Sequence, residues 1–117
     1  MERENTEYIK FVCDTFEKLK LQFIEKHEQY STDNPLADFD TWARAYYKSE
    51  GYAAKFTTAL HFVGKHIAHV INHGINGNKV DESLKDIAIY MVIMLYMLEK
   101  HKEIKEWENF CLLIITK

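Results

Sequence analysis

The sequence predicts an all-α protein, a bundle of four or five helices. Three observations favour this class: 47% of the 117 residues are apolar, only four glycines and one proline interrupt the chain, and apolar residues recur at helical spacing along most of it. A chain of this length can form one hydrophobic core, so we expect residues 1–117 to be a single domain.

The first two predicted helices lie on either side of a short loop. Residues 6–30 carry an apolar stripe at three- and four-residue spacing, formed by Ile9, Val12, Phe16, Leu19, Phe23, His27 and Tyr30. Pro35 disfavours the helical conformation at the residue before it, so this helix has to end before the loop. Asp38 is then predicted to cap a short helix over Phe39–Tyr47, whose inward side is Phe39, Trp42, Ala43 and Tyr46.

A third helix is predicted from Tyr52 to the turn-forming segment 74–78, and a fourth from Val80 to His101. Residues 87–98 of the fourth contain no charge and are apolar on every side, which predicts a fully apolar helix buried at the centre of the bundle. Because a membrane span needs about 20 apolar residues, we expect no membrane association. A last amphipathic piece, residues 104–115, is expected to pack on the bundle or on another subunit.

The charge distribution bounds the possible partners. A formal charge of −3 gives no bulk electrostatic reason to bind a nucleic acid duplex. The N-terminus lacks the pattern of a secretory signal, and Cys13 and Cys111 fit no disulfide or metal spacing, so we expect a cytoplasmic protein. Residues 52–79 contain no carboxylate but three lysines and four histidines, a distribution that suits an anionic ligand with a divalent metal.

Two carboxylate pairs are candidate metal ligands. Glu82 and Asp86 are spaced i, i+4 at the start of the apolar helix and project together, while Glu25 and Glu28 lie late in the first helix. Carboxylates that face one another raise each other's pKa unless a cation compensates them, and Mg²⁺, with Mn²⁺ as a substitute, prefers such oxygen ligands. The alternative is ordinary solvated pairs. Glu25 points away from the apolar stripe of its helix, and Glu28 is better placed.

The histidines give a weaker signal. His69 and His73 have the spacing of a two-histidine metal site, but no acidic residue or cysteine completes a zinc motif, so a solvated or phosphate-facing edge is expected. His61 is expected at the surface. The sequence contains no recognisable nucleophile motif, so an enzyme of this sequence would use a metal-activated water.

Two segments of the sequence carry a recognisable pattern of residues. Lys26–Ser31, followed by Asn34–Leu36 and Asp38–Phe39, resembles the K-x-x-D-Y-G…N-F segment of small phage and prophage proteins related to MazG. Glu82–Tyr90 resembles their D-S-L-x-D-L-A-x-Y segment, and Lys65 matches a lysine on the intervening helix. The resemblance covers roughly residues 23–97, and the order of the helices agrees.

The resemblance implies a MazG-like nucleoside triphosphate pyrophosphohydrolase: a dimeric or tetrameric bundle that holds Mg²⁺ between two helices and hydrolyses a (deoxy)nucleoside triphosphate to the monophosphate and pyrophosphate. Its implied ligands are Glu25, Glu28, Glu82 and Asp86, with Glu25 or Glu28 also assisting the attacking water. Its implied substrate contacts are Lys65, Tyr30 and Lys26. The base would be selected by the segment 31–39 and by stacking on Tyr30 or Trp42.

The sequence departs from that family in its first motif. Only Glu25-x-x-Glu28 stands in for the E-E-x-x-E of the enzymes, and Gln29 and Ser31 replace the usual Asp and Gly. This leaves open a non-catalytic phage-type protein that binds a nucleotide or a host protein, and a purely structural dimer built on the last helix. Metal binding and pyrophosphate release would distinguish the enzyme from both. The expected setting is the cytoplasm of a bacterium or of a phage-infected host.

Overall fold

The computed structural model of the chain contains four α-helices: α1 (Glu2–Tyr30), α2 (Ala37–Tyr47), α3 (Tyr52–His73) and α4 (Val80–Thr116). It describes residues 2–30, 35–49 and 51–116, and within these ranges no residue is in a strand. The all-α prediction is confirmed. The chain divides into two compact units, residues 1–35 and 36–117. That the whole chain forms one domain stays a prediction.

The first unit consists mainly of α1. It begins at Glu2, about four residues earlier than predicted, with Glu2 and Glu4 in its first turn, where carboxylates complement the exposed backbone N–H groups. Further along the helix, ion pairs at i, i+4 spacing join Arg3 to Glu7 (3.2 Å) and Lys10 to Asp14 (2.6 Å), and such pairs stabilise a helix.

The helix α2 begins differently from the prediction. Leu36 occupies the cap position without a side-chain hydrogen bond, so the predicted Asp38 cap is wrong. Asp38 lies in the first turn instead, where its charge still favours the helix. Leu36 is buried in the core of the second unit, so packing rather than side-chain capping sets the start of α2. The helix ends where Lys48 adopts a left-handed conformation (φ 52°) and donates its backbone N–H to the Arg44 carbonyl.

The predicted bounds of α3 are confirmed. Two of its histidines form hydrogen bonds at the connection to α4. Gly74, at a φ of 69°, ends the helix and donates its N–H to the Val70 carbonyl. His69 Nε2 donates to the Asn78 carbonyl and His73 Nδ1 to the His69 carbonyl, each at 2.9 Å. His69 and His73, which have the spacing of a two-histidine metal site, therefore donate hydrogen bonds to backbone carbonyls at the end of α3.

The helix α4 runs unbroken for 37 residues, so the two predicted pieces at 80–101 and 104–115 form one helix. The joining residues contain neither glycine nor proline, and the ion pair between Lys100 and Glu103 (3.1 Å) spans the junction. At about 1.5 Å per residue, α4 is about 55 Å long and the 22-residue α3 is about 33 Å. Because α3 is shorter, it can cover only part of α4.

The core of the second unit lies where α3 packs on α4 and on α2. Its buried members are Leu36, Phe39, Ala59, Val63, Met94 and Met97. The predicted burial of α4 on every side is not confirmed: Met94 and Met97 face the core, whereas Val92 is 61% and Leu95 is 62% exposed. Within the described ranges, no helix has both the length and the apolar character needed to cross a membrane.

Candidate functional site

Asp86 faces α3. Its Oδ2 lies 3.8 Å from His66 Nε2, and both side chains are 30% exposed. The His66 ring is also 5.9 Å from the ring of Tyr90, which lies one helical turn after Asp86 and therefore shares its face. The sequence predicted Asp86 as a metal ligand but gave no indication of the histidine that the fold places beside it.

Tyr90 connects this pair to α2. Its half-buried ring contacts Phe39 at 6.2 Å and Phe62 at 6.0 Å. Burial raises the pKa of the Tyr90 hydroxyl above its ordinary value of 10.0, and the negative charges of Asp86 and Asp38 raise it further. The phenol is therefore protonated at neutral pH and remains a hydrogen-bond donor.

The other predicted ligands are more exposed. Glu82 lies in the first turn of α4 and is exposed, although it is one turn from the half-buried Asp86. Glu25, Lys26 and Glu28 are exposed near the end of α1, in the first unit. Tyr30 is the last residue of α1, and its side chain lies outside the described part of the chain.

In the ranges that the structure describes, no three His, Cys, Asp or Glu side chains are grouped to hold a metal ion. The donor chemistry of the predicted set nonetheless suits Mg²⁺, because all four side chains offer carboxylate oxygens. Metal binding by Glu25, Glu28, Glu82 and Asp86 stays a prediction.

An aromatic cleft lies between α2 and α3. Its volume is about 380 Å³, and it is lined by Trp42, Tyr46, Tyr47, His61, Phe62 and Lys65. The rings of Trp42 and Tyr46 are stacked, with centroids 5.4 Å apart and planes 14° from parallel. Both residues were predicted to face inward, which is wrong: Trp42 is 44% and Tyr46 is 68% exposed, because Phe39 and Ala43 form the buried side of α2.

A hydrogen bond joins the two walls of this cleft. His61 Nε2 lies 2.5 Å from Tyr47 Oη, and the two rings are stacked at 6.2 Å. His61 is exposed, as predicted, but it has a specific partner on α2. The i, i+4 spacings of Trp42 with Tyr46 and of His61 with Lys65 were visible in the sequence, yet only the packing of α2 on α3 shows that they line one cleft.

Lys65 is exposed on the lining of the cleft, one turn after His61. Phe62 lines the same cleft and also contacts Tyr90, so the cleft and the pair of Asp86 with His66 are neighbours along α3. The structure therefore brings two predicted residues, Lys65 and Asp86, to the same stretch of α3.

Lys55 has a different environment. Its Nζ lies 3.1 Å from Asp40 Oδ1, with the two side chains only 10% and 11% exposed, and 4.2 Å from the centre of the Tyr52 ring. Lys55 is one of the three lysines in the segment 52–79, which contains no carboxylate. In the structure its charge is balanced by Asp40 from α2. Lys65, by contrast, is exposed to solvent.

Comparisons of the chain with protein-family models, with curated proteins and with solved structures give no match. The resemblance to MazG proteins thus rests on the two sequence segments and on Lys65.

Proposed function

We propose that this chain is a Mg²⁺-dependent nucleotide pyrophosphohydrolase with a MazG-like fold, which cleaves a nucleoside or deoxynucleoside triphosphate to the monophosphate and pyrophosphate. The observation that carries the proposal is the exposed Lys65 on an aromatic cleft. A nucleotide combines a planar base with a polyphosphate, and the cleft offers aromatic rings beside a cation. The proximity of Asp86 to this stretch of α3 adds support.

The proposed reaction assigns a role to each predicted residue. Glu25, Glu28, Glu82 and Asp86 would hold the metal, and Mg²⁺ when bound supplies charge neutralisation and a more acidic water. Glu25 or Glu28 accepts a proton from the water that attacks the α-phosphorus. The bond between the α-phosphorus and the oxygen that bridges it to the β-phosphorus then breaks, and pyrophosphate leaves. Lys65 stabilises the negative charge of the departing pyrophosphate. Lys26 and Tyr30 contact the substrate.

The proposal includes a homodimer or homotetramer in the cytoplasm of a bacterium or of a phage-infected host. Its support is the apolar surface that α4 leaves exposed, at Val92 and Leu95 among others. Exposed apolar surface of this extent marks interaction sites in folded proteins.

A second candidate is a protein that binds a nucleotide, or a host protein, without hydrolysis. One observation favours it: Asp86 already has a partner in His66, and this pairing competes with metal coordination. The reduced first acidic motif, Glu25-x-x-Glu28, points the same way.

Incubation with a panel of ribo- and deoxynucleoside triphosphates tests the proposal. With Mg²⁺ or Mn²⁺ we expect at least one substrate to yield monophosphate and pyrophosphate in equal amounts, and EDTA to abolish the reaction. Binding of a triphosphate in calorimetry without any hydrolysis would favour the second candidate. Release of orthophosphate and a diphosphate would contradict the proposed bond cleavage.

A further inference from the structure

We infer that the cleft between α2 and α3 is the subsite for the base, in which the ring stacks on the pair of Trp42 and Tyr46 and its polar edge meets the pair of Tyr47 and His61. This inference rests on the proposed function, because it assigns one part of a nucleotide to one part of the same site. It extends that function by naming the side chains that would select among bases.

The first argument is the aromatic surface. Trp42 and Tyr46 stack on each other with nearly parallel rings on the outer side of α2, and both remain substantially exposed. A flat aromatic surface of this kind is what a nucleobase stacks on, and every base has a π-face that can use it.

The second argument is the hydrogen-bonded pair at the junction of the two walls. The bond between Tyr47 and His61 uses a single proton, so the phenol oxygen keeps further hydrogen-bonding capacity toward the cleft. A hydrocarbon ligand would leave that capacity unused, whereas the edge of a base carries nitrogen and oxygen atoms that can use it.

The third argument is charge. Among the residues that the structure describes, the lining includes Lys65 and no carboxylate, so these side chains do not cancel the lysine charge. A ligand that matches the cleft therefore combines an aromatic ring with an anionic group, which is the combination in a nucleotide. The volume of about 380 Å³ falls within the range of small-molecule sites, roughly 300–1,000 Å³.

The chain allows a direct optical test, since Trp42 and Trp107 are its only tryptophans. In a Trp107→Phe background, Trp42 is the sole tryptophan reporter. We expect the unreactive α,β-imido analogues of ATP or UTP, with Mg²⁺, to quench Trp42 fluorescence, and inorganic triphosphate, which has no ring, to leave it unchanged. Tyr46→Ala in the same background should weaken the binding of the better analogue about tenfold, the loss of roughly 1.4 kcal/mol.

Tyr8→Ala is the matched control, because Tyr8 is 67% exposed on α1 and Tyr46 is 68% exposed on α2. It should leave the affinity unchanged. Circular dichroism of each variant checks that the helices are intact.

Three results would overturn the inference. Calorimetric binding of an analogue with no change at Trp42 and no effect of Tyr46→Ala would place the base elsewhere, while pyrophosphate release would still support the proposed function. No binding of any nucleotide would overturn both proposals. Tighter binding of a phosphotyrosine peptide than of either analogue would assign the cleft to a peptide ligand.

Discussion

At the scale of single residues, the buried pair of Asp40 and Lys55 joins α2 to α3. Lys55→Met keeps the length of the side chain but removes the cation beside a carboxylate that is 11% exposed. Breaking a buried ion pair by removing one partner typically costs about 3–5 kcal/mol, so we expect the free energy of unfolding in urea to fall by that amount.

Lys100→Met is the control for this prediction. Lys100 also pairs with a carboxylate, Glu103, and also lies near a tyrosine ring, that of Tyr96, but in a solvent-exposed setting. Because exposed pairs are screened by water, the urea midpoint should not change measurably. A loss of equal size in both variants would mean that burial is not what distinguishes the first pair.

A substitution of Asp86 tests whether this residue is a metal ligand. Asp86→Asn should abolish Mn²⁺ binding in calorimetry, since it removes a charged ligand from the proposed set. Without metal, stability should rise or stay level, because asparagine removes the charge that repels Glu82 one turn before it, while the pair with His66 is 30% exposed on both sides and contributes little. A loss of several kcal/mol in the metal-free protein would make Asp86 a structural partner of His66 and contradict the assignment.

These two sites show where prediction from sequence ends for single residues. Asp86 was a candidate ligand because it lies directly before the charge-free residues 87–98, where an unpaired carboxylate is unusual. Its partner His66 and the pairing of Asp40 with Lys55 join different helices, and no local spacing encodes such pairs. They depend on how the helices are oriented, which the sequence pattern leaves open.

At the scale of elements, local signals predicted α2 and α3 to within two residues. Pro35, Gly51 and Gly74 act on their own turn, so their effect can be read directly. The predicted break in α4 was wrong because residues 99–106, although mostly charged, consist largely of good helix formers, and a change of polarity does not end a helix.

The connection between α3 and α4 depends on a close approach at Gly77. A Cβ at this position would overlap the His73 side chain and carbonyl and the Val80 side chain. We expect Gly77→Ala to lower the free energy of unfolding by about 1–3 kcal/mol, the usual cost of overpacking. Thermal or urea unfolding measures it.

Gly64→Ala is the matched control, because a Cβ at Gly64 in the exposed middle of α3 meets nothing within 4 Å. This change should leave stability level or raise it by up to about 1 kcal/mol, since alanine favours the helix over glycine. If Gly77→Ala behaved like Gly64→Ala, the connection would have room that the structure does not show.

At the scale of the whole molecule, apolar surface is the main feature to explain. Exposed apolar residues occur along α1, at Phe11 and Phe16 for example, and along α4, at Leu95, Trp107 and Phe110. The sequence predicted that residues 104–115 pack on the bundle or on another subunit. The partner surface itself could not be predicted, because the same amphipathic stripe suits a helix of the same chain or of another.

We expect static light scattering at micromolar concentration to give at least twice the 13.9 kDa of one chain. Leu95→Lys, which places a charge on the exposed side of α4, should shift the mass toward a monomer without loss of helicity. A single 14 kDa species for the wild-type protein would contradict the oligomer.

The proposed role of Lys65 at the phosphates of a hydrolysed nucleotide is tested by measuring kcat/KM for Lys65→Ala on the best triphosphate. We expect kcat/KM to fall roughly tenfold to a thousandfold, as for the loss of one electrostatic stabiliser, and the free energy of unfolding to stay within about 0.5 kcal/mol of wild type. Lys102→Ala, which removes an exposed lysine of α4, should leave kcat/KM unchanged. Hydrolysis by Lys65→Ala as fast as by the wild-type protein would contradict the claim and leave Lys65 a solvated surface residue.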